Sequence, residues 1–212
     1  PIAAQNALPF ADAFSKLVRP VVVPVSKVLA VDLDNTLWGG ILGEDGAENL
    51  KIGNDYPGLI YWRIQQLALS LKNRGILLVL LSKNNLEDVK EAFAFLNDMP
   101  LKLSDFSGVK VNWNEKYRNM LEVAKELNLG VDSFVFLDDQ PFEQEQIQQF
   151  LPEVKVLRSS KDPLELLNAL SSTCFFDTFS IEQEDLIRSR DYEKQTERKI
   201  LEKSLGREEF LS

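Results

Sequence analysis

The chain has no histidine among its 212 residues. This excludes His-dependent catalytic triads and His-ligated zinc, so acid–base and metal work must fall to carboxylates, lysine and hydroxyls. It has one cysteine, Cys174. An internal disulfide is therefore impossible, a reducing compartment is expected, and a thiol set in Ser-Thr-Cys-Phe-Phe reads first as buried packing. No apolar run approaches the ~20 residues needed to span a bilayer. The first residues lack the basic-then-apolar plan of a secretory signal, so a cytoplasmic location is expected. Basic charge is scarce: 24 Lys and Arg stand against 33 Asp and Glu, a net charge of -9. Neither nucleic acid nor an anionic membrane is expected as the main partner, because both need a basic field. Internal repeats and low-complexity tracts are also lacking.

What is present is ordinary globular material, 44% hydrophobic and 27% charged, enough for one sizeable core. Its chemistry concentrates in Val28-Leu29-Ala30-Val31-Asp32-Leu33-Asp34-Asn35-Thr36-Leu37-Trp38-Gly39-Gly40. Four consecutive apolar residues read as a strand buried on both faces, the kind found in parallel sheets. Asp32 and Asp34 then lie at the strand's carboxyl end, where open α/β sheets place their ligand crevice. The same pair would also serve as simple turn chemistry.

Taken in order, residues 1–26 read as a lead-in, with an amphipathic stretch near 11–18 and a Pro-rich linker before the first strand. The chain opens on proline, which suits a domain excised or processed from something longer. Residues 38–46 read as a short hairpin over the crevice, with Asp45-Gly46 as its turn, or as an ordinary connection. A helix is expected from Pro57 to Arg74, stopped at Gly75, then an apolar strand Ile76–Leu81. Further strands are expected at 106–112, 133–137 and 154–157, with helices between them. Alternating strands and helices mean a doubly wound parallel α/β sheet. The core is expected over 27–180, followed by a charged helical tail over 181–212.

Behind those strands come Asp32 and Asp34, then Ser82, then Lys116, then Asp138 and Asp139. Singly each is unremarkable: serine and the acid pair suit helix caps, and the lysine suits a surface. Together and in this order they meet the needs of phosphoryl transfer. A carboxylate reaches phosphorus only if like charges are neutralised, which calls for Mg²⁺ on hard oxygen ligands such as Asp32 and Asp138. Ser82 and Lys116 would hold the phosphoryl oxygens. Asp34 is placed to give and take the proton.

The order resembles the four motifs of the haloacid dehalogenase (HAD) superfamily. That resemblance implies a Rossmann-like core, Asp32 as a nucleophile forming an aspartyl phosphate, and Asp34 as the acid–base group. It further implies that Asp34 offers its backbone carbonyl to Mg²⁺, that Asp138 is a metal ligand, and that Asp139 supports the metal from behind. Thr36, Trp38, Gly39, Gly40, Lys83 and Asn84 are then expected to bind substrate. No large insertion interrupts the motifs, so the chain looks capless with a short hairpin flap.

The longer runs Asp32–Gly40, Gly43–Gly46, Ser82–Asn85, Phe136–Pro141 and Arg190-Asp191-Tyr192 resemble the FkbH-like branch of that superfamily. The resemblance covers nearly everything from Lys27 onward. Members take 1,3-bisphosphoglycerate, load a glyceryl unit onto the phosphopantetheine thiol of an acyl carrier protein, and remove phosphate in polyketide biosynthesis. One departure stands out: the family commonly has cysteine before the serine, where this chain has Leu81. Acyl transfer would then go directly to the carrier thiol, or use Cys174, or involve a different acyl unit, or be absent, leaving dephosphorylation alone. Lys155, Arg158 and Lys161 form a possible basic patch for an acidic carrier, or are simply solvated charges. A plain capless phosphatase is the alternative. A receiver module would put its adjacent acids first and its phosphorylated aspartate later, the reverse of the order here, and an inactive docking domain would have no need of every group.

Overall fold

A computed structural model describes residues 24–178, together with Ala11 and Phe14. Most of the lead-in and the whole 181–212 tail, with its expected helix, lie outside the described residues.

Five strands form one all-parallel sheet in the order β3-β2-β1-β4-β5. They are β1 (Val28–Val31), β2 (Leu77–Ser82), β3 (Phe106–Val111), β4 (Phe134–Leu137) and β5 (Lys155–Leu157). Every residue of β1, β2 and β4 is buried, which explains runs apolar throughout: helices cover both faces. Leu29, Val31, Leu78, Leu80, Val135 and Leu137 enter one core. Their alternates Val28, Ala30, Leu77, Val79, Leu81 and Phe136 enter the other, as the two-residue period of a strand requires.

The helices are α1 (Leu42–Asp45), α2 (Gly58–Asn73), α3 (Leu86–Phe95), α4 (Lys116–Glu126), α5 (Pro141–Phe150) and α6 (Pro163–Ser172). α2, α3 and α6 supply Ile64, Val89 and Leu166 to the first core. α4 and α5 supply Met120, Val123 and Ile147 to the second. Among the described residues, no helix is long and apolar enough to cross a membrane.

The register fixes the site. Val31 lies opposite both Leu80 and Leu137, and the Asp32 amide donates to the Leu137 carbonyl at 3.2 Å. The chain thus leaves β1 and β4 side by side, where the strand order reverses and ligands of such sheets bind.

The hairpin over residues 38–46 does not form. Leu42–Asp45 is a turn of helix and Ala47–Asn49 a 3₁₀ turn. The Asp45 carboxylate accepts from the Ile41 amide at 2.8 Å and the Gly46 amide donates to the Leu42 carbonyl at 3.1 Å. Asp45 therefore closes a helical turn rather than starting a strand reversal. Leu42 is buried in the first core, and the loop is shut by an antiparallel bridge between Gly39 and Lys51. Among the described residues no cap domain separates β1 from α2; the short flap is helical.

Candidate active site

Lys116, in the first turn of α4, is buried with 3% of its surface exposed. Its ammonium reaches Asp138 Oδ2 at 2.5 Å and Asp32 Oδ1 at 3.0 Å, linking the ends of β1 and β4. Burial works against its charge, but Asp32 and then Asp138 outweigh that and raise its pKa. Asp138 is wholly buried. Burial pushes it up to about 7 despite Lys116, and burial followed by repulsion from Asp32 pushes Asp139 up to about 6. Two acids so reluctant to ionise call for another positive charge.

Asp32, Asp138 and Asp139 each bring a carboxylate oxygen within 4.8 Å of the others. Asp139 Oδ1 is buried without a hydrogen bond, an oxygen that a cation would satisfy. Hard carboxylate donors of this number suit Mg²⁺, which keeps waters for its other positions. Asp139 thus stands level with Asp32 and Asp138, closer than the supporting place expected of it. Asp34's carboxylate lies outside this group, so its share would be the backbone carbonyl that the resemblance implies.

Asp34 is engaged elsewhere. Its Oδ1 accepts from Trp38 Nε1 at 2.9 Å and the Leu42 amide at 3.1 Å, and its Oδ2 from Asn84 Nδ2 at 2.9 Å. Burial raises its pKa, while the hydrogen bonds from Asn84, Trp38 and Leu42 pull the other way and do not win. A carboxyl that holds its proton more tightly than usual is suited to proton transfer. Asn84 Nδ2 also donates to Ser82 Oγ at 3.1 Å. Ser82 therefore keeps its own O–H free to donate.

Several expected substrate contacts do other work. Thr36 is fully buried and its Oγ1 accepts from the Asp139 amide at 3.2 Å, bracing the two acidic loops against each other. Trp38, also fully buried, packs edge-on against Phe93 and holds Asp34. Neither can touch a substrate. Gly39 is needed for packing, since a Cβ there would lie 2.6 Å from the Tyr61 ring. Gly40 takes a φ of 106° and donates to Asn35 Oδ1 at 2.9 Å. Lys83 does reach the crevice side but pairs with Glu143 at 2.6 Å.

Glu143 was not anticipated. It is buried in the first turn of α5, and its Oε2 has no hydrogen bond; Pro141 at a helix start directly behind the acid pair was the available signal. Gln144 was missed too: its Nε2 donates to the Asp138 carbonyl at 2.7 Å and the Ser159 carbonyl at 2.9 Å, fixing the β4 loop.

Neither cysteine option survives the geometry. Leu81 is fully buried among Met120 and Val123, facing the second core. Cys174 adjoins Phe175, whose carbonyl accepts from the Ser26 amide just ahead of β1; that is the amino edge of the sheet, opposite Asp32. Of the three basic residues, Arg158 pairs with Glu145 at 2.7 Å, and Lys155 donates to the Ser26 hydroxyl and the Asp132 carbonyl.

Among solved structures, the chain is similar to the N-terminal part of protein BF1531 from Bacteroides fragilis, which contains a phosphatase domain and is complexed with Mg. The identity is 37% and the TM-score 0.75, over 85% of this chain and 48% of that one. This chain thus spans about half the length of its neighbour. An uncharacterized protein from Corynebacterium glutamicum aligns at 14% identity over 68% of this chain and 95% of that one, with a TM-score of 0.42. That likeness is too loose to argue from. No family model and no curated protein matches.

Proposed function

From the fold it shares with a HAD-like phosphatase, we propose that this chain is a Mg²⁺-dependent phosphatase working through an aspartyl phosphate on Asp32. The observation that carries the reading is the buried Asp32–Lys116–Asp138 linkage beside the unsatisfied oxygen of Asp139. Bound Mg²⁺ would supply positive charge between the carboxylates and the incoming phosphate.

Lys116 occupies Asp32 Oδ1 and so leaves Oδ2 to attack phosphorus. The ester P–O bond breaks as the Asp32–phosphorus bond forms, and the leaving oxygen takes the Asp34 proton. Ser82 and Lys116 steady the charge that spreads over the phosphoryl oxygens. Asp34, now ionised, then takes a proton from water, whose oxygen attacks phosphorus, freeing Asp32 and inorganic phosphate.

The test is phosphate release from p-nitrophenyl phosphate and 3-phosphoglycerate, with Mg²⁺ or with EDTA. Asp32→Asn should lower the rate at least about 10³-fold, since loss of a covalent nucleophile typically costs that or more. Release that survives both the substitution and EDTA would sink the proposal.

A finer reading is favoured by the long FkbH-like runs at Asp32–Gly40 and Phe136–Pro141. In it the chain loads a glyceryl unit from 1,3-bisphosphoglycerate onto an acyl carrier protein and removes the remaining phosphate. With Leu81 in the core and Cys174 at the far edge, the carrier thiolate must attack the acyl phosphate carbonyl itself, expelling inorganic phosphate. Intact-mass analysis of a holo carrier incubated with 1,3-bisphosphoglycerate and Mg²⁺ decides it. A glyceryl adduct that requires this chain supports loading; an unmodified carrier beside released phosphate leaves the phosphatase alone.

A further inference from the structure

Beside the catalytic carboxylates, at the carboxyl ends of β2 and β3, lies a groove of about 460 Å³ lined by Asn84, Asn85, Glu87, Lys90, Asn112 and Trp113 among others. Asn84 is the wall it shares with the site, being hydrogen-bonded to both Asp34 and Ser82. Asn84 thus joins the groove to the carboxyl that would protonate a leaving oxygen.

The chemistry of the walls can be worked out from their partners. Asn84 gives the two N–H groups of its amide nitrogen to Asp34 and Ser82, so its remaining capacity is the carbonyl oxygen. Asn85 uses its carbonyl oxygen to accept from the Glu87 amide at 3.0 Å, leaving its NH₂ as a donor. Asn112 exchanges hydrogen bonds with Asn119 and accepts from Asn114, which fills its carbonyl oxygen and leaves one N–H of its NH₂ as a further donor. The charged pair cancels: Lys90 donates to Glu87 at 3.2 Å. Over these groups stands Trp113, 75% exposed, the most exposed large apolar side chain among the described residues. The groove thus offers an amide acceptor on Asn84, amide donors on Asn85 and Asn112, no net charge and a flat apolar platform.

We propose that this groove is a subsite for the leaving group of the phosphorylated substrate, and that it takes an uncharged chain carrying an amide or hydroxyl group. Such a group presents a donor and an acceptor together, and the carbon skeleton lies on the indole. A second phosphate or carboxylate finds no cation here that is not already matched by Glu87. The inference rests on the phosphatase reading and names the class of ester that the site prefers.

Three monoesters differing in the arm alone make the test: methyl phosphate, O-phosphoethanolamine and its N-acetyl derivative, assayed for phosphate release with Mg²⁺. The neutral amide ester should exceed the other two in kcat/KM by about tenfold, the worth of one aromatic contact with a hydrogen bond. Trp113→Ala and Asn85→Asp should each erase most of that preference; the second keeps an oxygen to cap α3 and turns the donor into an anionic acceptor. Binding is read separately, by quenching of tryptophan fluorescence with N-acetylethanolamine, against Trp113→Phe as the control. If no ester turns over but the quench occurs and is lost in Asn85→Asp, the phosphatase reading fails and takes the leaving-group role with it, while the groove's preference for an uncharged amide or hydroxyl chain stands. Turnover with equal rates for all three esters and no quench overturns the subsite and leaves the phosphatase. A preference that persists in both variants also overturns it.

Discussion

Lys116 sets the charge balance of the site. Its two carboxylate partners are buried with it, so removing the ammonium leaves two acids without compensation, a change that typically costs about 3–5 kcal/mol. Lys116→Met should lose stability of that order at pH 8 in urea denaturation, and clearly less at pH 5.5, where Asp138, pushed up to about 7, holds its proton. An equal cost at both values would mean that the ion pairs are not what the lysine contributes. Trp38 gives a finer test. Its indole N–H stabilises the ionised form of Asp34, so Trp38→Phe should raise the Asp34 pKa further. The limb of the rate profile that reports Asp34 should move to higher pH by about one unit, since a hydrogen bond to a charged group is worth roughly 1.5 kcal/mol or more. A limb that stays in place would show that Asp34 titrates elsewhere in the reaction.

The elements divide into those readable locally and those set by distant partners. β1, β2 and β4 were legible because an all-apolar run ending in polar residues has few other uses in an alternating chain. The flap was not, because Asp45-Gly46 suits either a hairpin turn or the end of a short helix. What decides is Leu42 entering the core and Gly39 lying against Tyr61 of α2, contacts no local pattern reveals. The same close approach predicts that Gly39→Ala forces the flap off Tyr61. A loss of about 1–3 kcal/mol is expected, the usual cost of overpacking, measured by thermal denaturation. Gln65 of α2 is a second hidden tie, donating to the Leu37 carbonyl at 2.7 Å and accepting from the Leu101 amide at 3.2 Å. A glutamine amid Ile64 and Ala68 gives no sign in sequence of which loops it joins.

At the scale of the molecule, the order of the motifs foretold which side chains meet, because a parallel sheet brings every strand's carboxyl end to one edge. It could not foretell protonation, which depends on burial. Asp138 and Asp139 stand at about 7 and about 6, above the ordinary 3.8 of the unfolded chain. Between those values the folded protein binds more protons than the unfolded one, so stability falls as pH rises through the window. The contribution of these acids is whole below about pH 4 and gone above about 7. Mg²⁺ needs the same oxygens deprotonated, so metal and protons compete for them. Saturating Mg²⁺ should therefore raise Tm far more at pH 8 than at pH 5.5. At 100 times its dissociation constant a ligand adds about 2.7 kcal/mol, which for a chain of this size is roughly 5–10 °C. Asp138→Asn should remove most of the increment at pH 8, and an increment equal at the two pH values would place the cation away from the three aspartates.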